Sequence, residues 1–127
     1  MGINILSWNI RGFRKREKKR SLRTLIQKHN PCLLFVQESK VEILSEYEIR
    51  RFWNSSNLDF VVSPAIGSAG GLFSIWNSDI FTALEKYSYQ RFIVVIGTFK
   101  HSNFFCGFIN VYAPSVDSEK TKFLEEL

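Results

Sequence analysis

The chain has 127 residues, enough for one domain at most and long enough to bury a core, and 45% of them are apolar, including twelve phenylalanines and three tryptophans. That composition excludes an intrinsically disordered chain; no apolar run approaches the roughly 20 residues that cross a bilayer, and residues 1 to 13 lack the ordered regions of a secretory signal, so a soluble, intracellular protein, nuclear or cytoplasmic and not secreted, is expected. The net charge of +5 is concentrated in RGFRKREKKRSLR, which holds Arg11, Arg14, Lys15, Arg16, Lys18, Lys19, Arg20 and Arg23; such a cluster suits phosphate groups when it is more than a solvated helix face.

In chain order, the β-branched and aromatic residues from about 3 to 10 predict a strand, with Gly12 as the break after it. Asn9 interrupts that run: a buried carboxamide without partners costs on the order of 1–3 kcal/mol, so it either caps a turn or is held for a purpose. A basic helix follows from about Lys15 to Lys28, with Leu22, Leu25 and Ile26 at helical spacing, and Pro31 prevents its continuation. CLLFVQE then reads as a strand covered on both faces. Strand, helix and strand with a short return predict a right-handed crossover and a parallel pair, so that Asn9 and Gln37-Glu38-Ser39 emerge at neighbouring carboxyl ends.

Residues 41 to 54 predict a weaker helix or loop. LDFVVSP, GLFSIWN, IFTALEKYS, RFIVVIGTFK and FFCGFINVYAP follow at hairpin spacing and predict antiparallel strands. The expected class is α/β, with one mixed, mostly antiparallel sheet and covering helices. The last two strands are apolar on both alternating sets, Val94 and Phe108 among them, so the sheet must lie between two layers. Helices can cover one face; the second layer is expected to be missing from the chain, which predicts self-association through the bare face. SVDSEKTKFLEEL begins a helix with Asp117 or Ser118 as N-cap and Phe123, Leu124 and Leu127 as its first apolar turn, the pattern of an element cut short. Cys32 and Cys106 lie far apart inside strand-like runs and predict two reduced core thiols. The sequon at Asn54 carries no meaning without a secretory route. AIGSAGG lacks a following GK[ST] and predicts a tight turn, not a nucleotide loop; His29 and His101 fall at a helix end and a hairpin tip and predict surface positions.

Asn9, Glu38 and NVYAP at residues 110 to 114 are polar interruptions at the ends of three apolar strands. With SAGGLFSIWN at residues 68 to 77, they resemble the endonuclease/exonuclease/phosphatase superfamily, whose fold is the deoxyribonuclease I-like four-layer α/β sandwich. SWNIRGF, QESK, the double glycine before a strand ending in Trp76-Asn77, and NVYAPS are most similar to the apurinic-like endonuclease domain of non-LTR, LINE-type retrotransposons, in its plant-type branch. The similarity runs through the whole chain in order and corresponds to the amino-terminal part of that domain.

The resemblance implies a Mg²⁺-dependent endonuclease that nicks duplex DNA in retrotransposition, with Mn²⁺ as a substitute metal. It makes Glu38 the metal ligand, Asn9 the carboxamide that orients metal and scissile phosphate, and Tyr112 the phenol that donates to a phosphate oxygen; these three are the implied catalytic residues. Arg11, Arg14, Lys15 and Asn110 are candidates for substrate contact, Asn110 sharing a strand face with Tyr112 and serving either the site or backbone groups. Gln37 and Lys40 flank the glutamate within reach of phosphate. The family's G-D-x-N motif, its later aspartate and its serine-aspartate-histidine ending are not in this sequence, so half a site and no independent cleavage are expected. Two other classes share these residues: a phosphoesterase for small phosphate esters, and a non-catalytic, degenerate basic module that binds nucleic acid.

Overall fold

The computed structural model describes residues 3–113. Its elements run β1 (Ile5–Asn9), α1 (Arg16–His29), β2 (Leu33–Gln37), α2 (Glu46–Arg50), β3 (Leu58–Ser63), β4 (Leu72–Asn77), β5 (Phe81–Ser88), β6 (Phe92–Phe99) and β7 (Phe104–Val111). The helix expected after residue 117 lies outside the described residues.

β1 and β2 are parallel, joined through α1, with Asn9 opposite Gln37. Asn30 closes α1 in the left-handed conformation, φ 46°, donating its N–H to the Ile26 carbonyl, and Pro31 then redirects the chain. β4 enters antiparallel to both β2 and β3, giving a mixed sheet ordered β1-β2-β4-β3. β5, β6 and β7 form a separate antiparallel sheet in chain order. The expectation of one sheet is therefore corrected. The strands read as successive hairpins, but the chain leaves the first sheet after Asn77, and the Asn77–Ile80 turn, closed by the Ile80 N–H to the Asn77 carbonyl at 3.0 Å, hands it to a second.

Alternation in the strands explains the layering. Leu34, Val36, Phe73 and Ile75 face the helices with Ile10, Phe13, Leu22, Ile26 and Ile49. Their neighbours of opposite parity, Leu33, Leu72 and Trp76, face Phe81, Ile93, Val95 and Phe99 of the second sheet. Aromatic edges close that interior: Phe81 lies 5.0 Å from Phe99 and 5.4 Å from Phe108, centroid to centroid. The second layer expected to be missing is thus supplied by β5–β7 themselves. What stays bare among the described residues is the outer face of that second sheet, with Tyr87, Phe105 and Ile109 exposed. Three of the four layers of the expected sandwich are described: helices, first sheet, second sheet.

β7 packs against β2 and β4, β6 against β4 and β3, and β5 against β3. β1 therefore overhangs, and Ile5 and Asn9 on its inner side are exposed. Cys32 is buried, Cys106 half-buried, and neither forms a disulfide; burial pushes the Cys106 thiol up. No described helix is long and apolar enough to cross a membrane.

Candidate active site

The carboxyl ends of β1 and β2 and the residues just past β7 meet at one edge of the sandwich, where Asn9, Arg11, Glu38, Lys40, Tyr112 and Ala113 line an open polar cleft. Three apolar strands carry these polar residues because strand pairing stops at Asn9 and Gln37, so the next side chains are released from the pleat. Hydrogen bonds from Ile10, Gly12 and Phe13 N–H to the carbonyls of Gln37, Glu38 and Ser39 then lace the two strand exits together. Ser39 and Lys40 N–H donate in turn to Gly71 and Gly70 carbonyls, at 3.0 and 2.8 Å.

Glu38 is the centre of the cleft. Its Oε1 accepts from the Tyr112 hydroxyl at 3.2 Å, and its Oε2 lies 3.6 Å from Arg11 Nε. The glutamate side chain is 22% exposed and the arginine 77%. An ion pair so open to water contributes little, so Arg11 is available to turn toward an added phosphate. The backbone here is unusual: Arg11, Glu38 and Lys40 all have positive φ, 53°, 52° and 59°. Non-glycine residues in the left-handed region cost roughly 1–2 kcal/mol each, and three on one rim mean that the laced loops hold the side chains in place against local preference.

The other candidates separate. Arg14 is engaged by Glu48 of α2 and donates to the Ile43 carbonyl at 2.8 Å, on the helical side of the first sheet. Its guanidinium holds the Glu48 carboxyl below the usual range. Lys15 is the N-cap position of α1, exposed, and caps nothing with its side chain. Asn110 is buried away from the cleft. It is 2% exposed and bridges the two sheets, accepting from Gln37 Nε2 at 2.7 Å and donating to Phe73 O, Ser74 Oγ and Val36 O at 3.0, 3.1 and 3.3 Å. It is thus a buried brace between the sheets that satisfies the Val36 and Phe73 carbonyls and holds Gln37, and not a group placed for substrate contact. Gln37 points inward to Asn110 and Ser7, away from the cleft. His29 and His101 are exposed and stand apart from the site. Ser39, named in the sequence only as a strand-end residue, is 1% exposed; its hydroxyl receives the Val41 N–H and sits under the glycine turn.

The described residues bring one carboxylate, one carboxamide and one phenol to the cleft, and no group of three His, Cys, Asp or Glu side chains is gathered anywhere among them. That donor set builds no cage. It fits Mg²⁺, a hard ion that keeps several waters and takes one or two carboxylates plus a substrate phosphate.

No protein-family model and no curated protein sequence matches the chain. Solved structures do. The AP endonuclease of Leishmania major superposes with a TM-score of 0.64 at 16% identity over 98% of this chain and 48% of its own. The catalytic domain of Xenopus laevis APE2 gives 0.64 at 16% identity, 97% and 49%. The 3′ phosphatase NExo from Neisseria, bound to a product DNA hairpin, gives 0.67 at 16% identity, 98% and 48%. The chain thus has the deoxyribonuclease I-like fold of endonuclease/exonuclease/phosphatase proteins, and it spans about half the length of the structures it matches.

Proposed function

We propose that the cleft around Glu38 is the amino-terminal half of a Mg²⁺-dependent site that cleaves DNA phosphodiester bonds, of the retrotransposon endonuclease type suggested by SWNIRGF, QESK and NVYAPS. One observation carries it: a single carboxylate, Glu38, is met by the Tyr112 hydroxyl and the Arg11 guanidinium on a polar rim held by left-handed backbone. The superposed structures, an AP endonuclease, the APE2 catalytic domain and a 3′ phosphatase bound to a product DNA hairpin, support the same substrate class.

Glu38 is the ligand for the ion, and Asn9 orients it and the phosphate without adding negative charge. When bound, Mg²⁺ polarises the phosphodiester and stabilises the leaving oxygen. The Tyr112 hydroxyl passes from Glu38 to a phosphate oxygen, and Arg11 and Lys40 neutralise the phosphate as it enters. No described residue is placed to activate water, since Glu38 is the lining carboxylate and Tyr112 is a donor. The described residues by themselves are therefore expected to bind the diester and not to turn it over.

The test is a titration of a deoxydinucleoside phosphodiester into the labelled protein with Mg²⁺, followed through backbone amides. Shifts centred on Asn9, Arg11, Lys40 and Tyr112, lost in Glu38→Gln, are expected. Equal shifts in Glu38→Gln contradict the assignment, a stronger response to inositol phosphates or other monoesters favours the small-ester phosphoesterase, and a response confined to the basic residues of α1 and independent of Glu38 and Mg²⁺ favours the non-catalytic module.

A further inference from the structure

α1 and α2 form a second basic surface, separate from the Glu38 cleft. Among the described residues the ion pairs involve Arg11, Arg14, Arg50 and Lys86. None involves Arg16, Lys19, Arg20, Arg23 or Arg51. At 100° per residue, with Leu22 and Ile26 turned inward, the four of these on α1 fall on one exposed side of the helix, and Glu17, its only carboxylate, lies off that side. Arg23 donates to the Arg51 carbonyl at 3.1 Å, which joins the stripe to the end of α2. Glu48, the one acid beside it, is occupied by Arg14.

Where the stripe meets α2 there is a cleft lined by Arg23, Gln27, Arg51, Phe52, Trp53 and Asn54. Its polar side chains are two guanidinia, two carboxamides and an indole, with no carboxylate. Trp53 lines it as a largely buried indole, 7% exposed. Two guanidinia with no ion-pair partner among the described residues, side by side in a cleft without a carboxylate, are the complement of a phosphate group.

We propose that this α1–α2 surface binds the sugar-phosphate backbone of duplex nucleic acid, with one phosphate seated in the Arg23–Arg51 cleft and the next along Arg20 and Arg16. From Arg16 to Arg23 the helix rises about 10 Å, enough to meet adjacent phosphates of one strand. The unpaired charges repel one another in the free protein and are neutralised together by a polyanion. The proposal does not depend on the chemistry assigned to Glu38.

The experiment is fluorescence anisotropy of a 20-base-pair duplex DNA with the full chain, without divalent metal, across a salt series. Arg23→Gln/Arg51→Gln is expected to weaken binding about tenfold at low salt and to lower the slope of log affinity against log salt by about 2. Arg16→Gln/Arg20→Gln, on exposed helix positions, is expected to do the same and reads the stripe independently should the first pair disturb folding. Both variants are expected to keep the Glu38-dependent amide shifts given by the deoxydinucleoside phosphodiester with Mg²⁺, which separates this result from any failure of the active-site reading. Unchanged affinity and salt slope in both pairs overturn the proposal. Saturable binding of inorganic phosphate with no binding of duplex also overturns it and assigns the cleft to a free anion.

Discussion

Asn110 and Glu48 show how a single side chain acts through partners far away in sequence. Asn110 offers an amide to three acceptors and an oxygen to Gln37, and a replacement must satisfy both sets. Asn110→Ala is expected to cost about 2–3 kcal/mol in urea denaturation, and Asn110→Asp more, because a carboxylate would face carbonyl oxygens at close range. A surface asparagine would give near-zero effects and no such order. Glu48 is governed by Arg14, whose hydrogen bond lowers its pKa from about 4.5. A depressed folded value means stability that is present above the ordinary carboxylate value and lost as pH falls through the folded one. Glu48→Gln is therefore expected to flatten the acid limb of a stability–pH curve below about pH 4.5 while leaving the neutral region little changed. That Asn9, Glu38 and Tyr112 gather in one cleft was legible because a polar residue interrupting an apolar strand is conspicuous in one dimension. Arg14 and Asn110 were not, because what decides their role is a partner 34 or more residues away, Glu48 for one and Ser74 for the other.

At the scale of elements, the site depends on a glycine turn in another hairpin. Gly71, at φ 88°, carries the carbonyl that receives Ser39 N–H, and a Cβ there would stand 2.6 Å from Ser39 Oγ and 3.3 Å from Ala65 N. Gly71→Ala is expected to cost about 1–3 kcal/mol and to move the amide resonances of Ser39 and Lys40. Gly67→Ala, also at positive φ but with open space around it, is expected to cost less and leave Glu38 undisturbed. If both behave alike, the turn does not support the cleft. The strands, the basic helix and the parallel β1–β2 pair could be read from periodicity and from Pro31. The allocation of strands to sheets could not, since hairpin spacing is the same whether β4 and β5 pair or part. A close crossing marks the second sheet: a Cβ on Gly97 would fall 2.0 Å from the Thr82 carbonyl oxygen, which only glycine permits.

The described residues have a covered interior and two open flanks. Ile5 and Asn9 of β1 are exposed, and the outside of the second sheet presents Phe105 and Ile109, 63% and 57% exposed. Self-association is thus expected not from a missing second sheet, which is present, but from its outer face and the end of β1, bare among the described residues. Apolar burial at about 25 cal/mol per Å² favours covering such a face over leaving it in water. Residues 1 to 127 are therefore expected to associate with rising concentration and to bind an apolar-surface dye, and Phe105→Ser/Ile109→Ser to reduce both. A compact monomer that binds no dye would show that the chain closes its own surface.

The most direct measurement of the central claim is paramagnetic broadening by Mn²⁺ at sub-stoichiometric concentration in the isotope-labelled protein. Broadening should centre on Glu38 and reach Asn9, Arg11, Lys40 and Tyr112, with weak affinity because one carboxylate and a carboxamide leave the ion largely hydrated. Glu38→Gln should abolish it. Broadening that survives Glu38→Gln, or that centres on another part of the molecule, would contradict a metal and phosphate site at the carboxyl ends of β1 and β2.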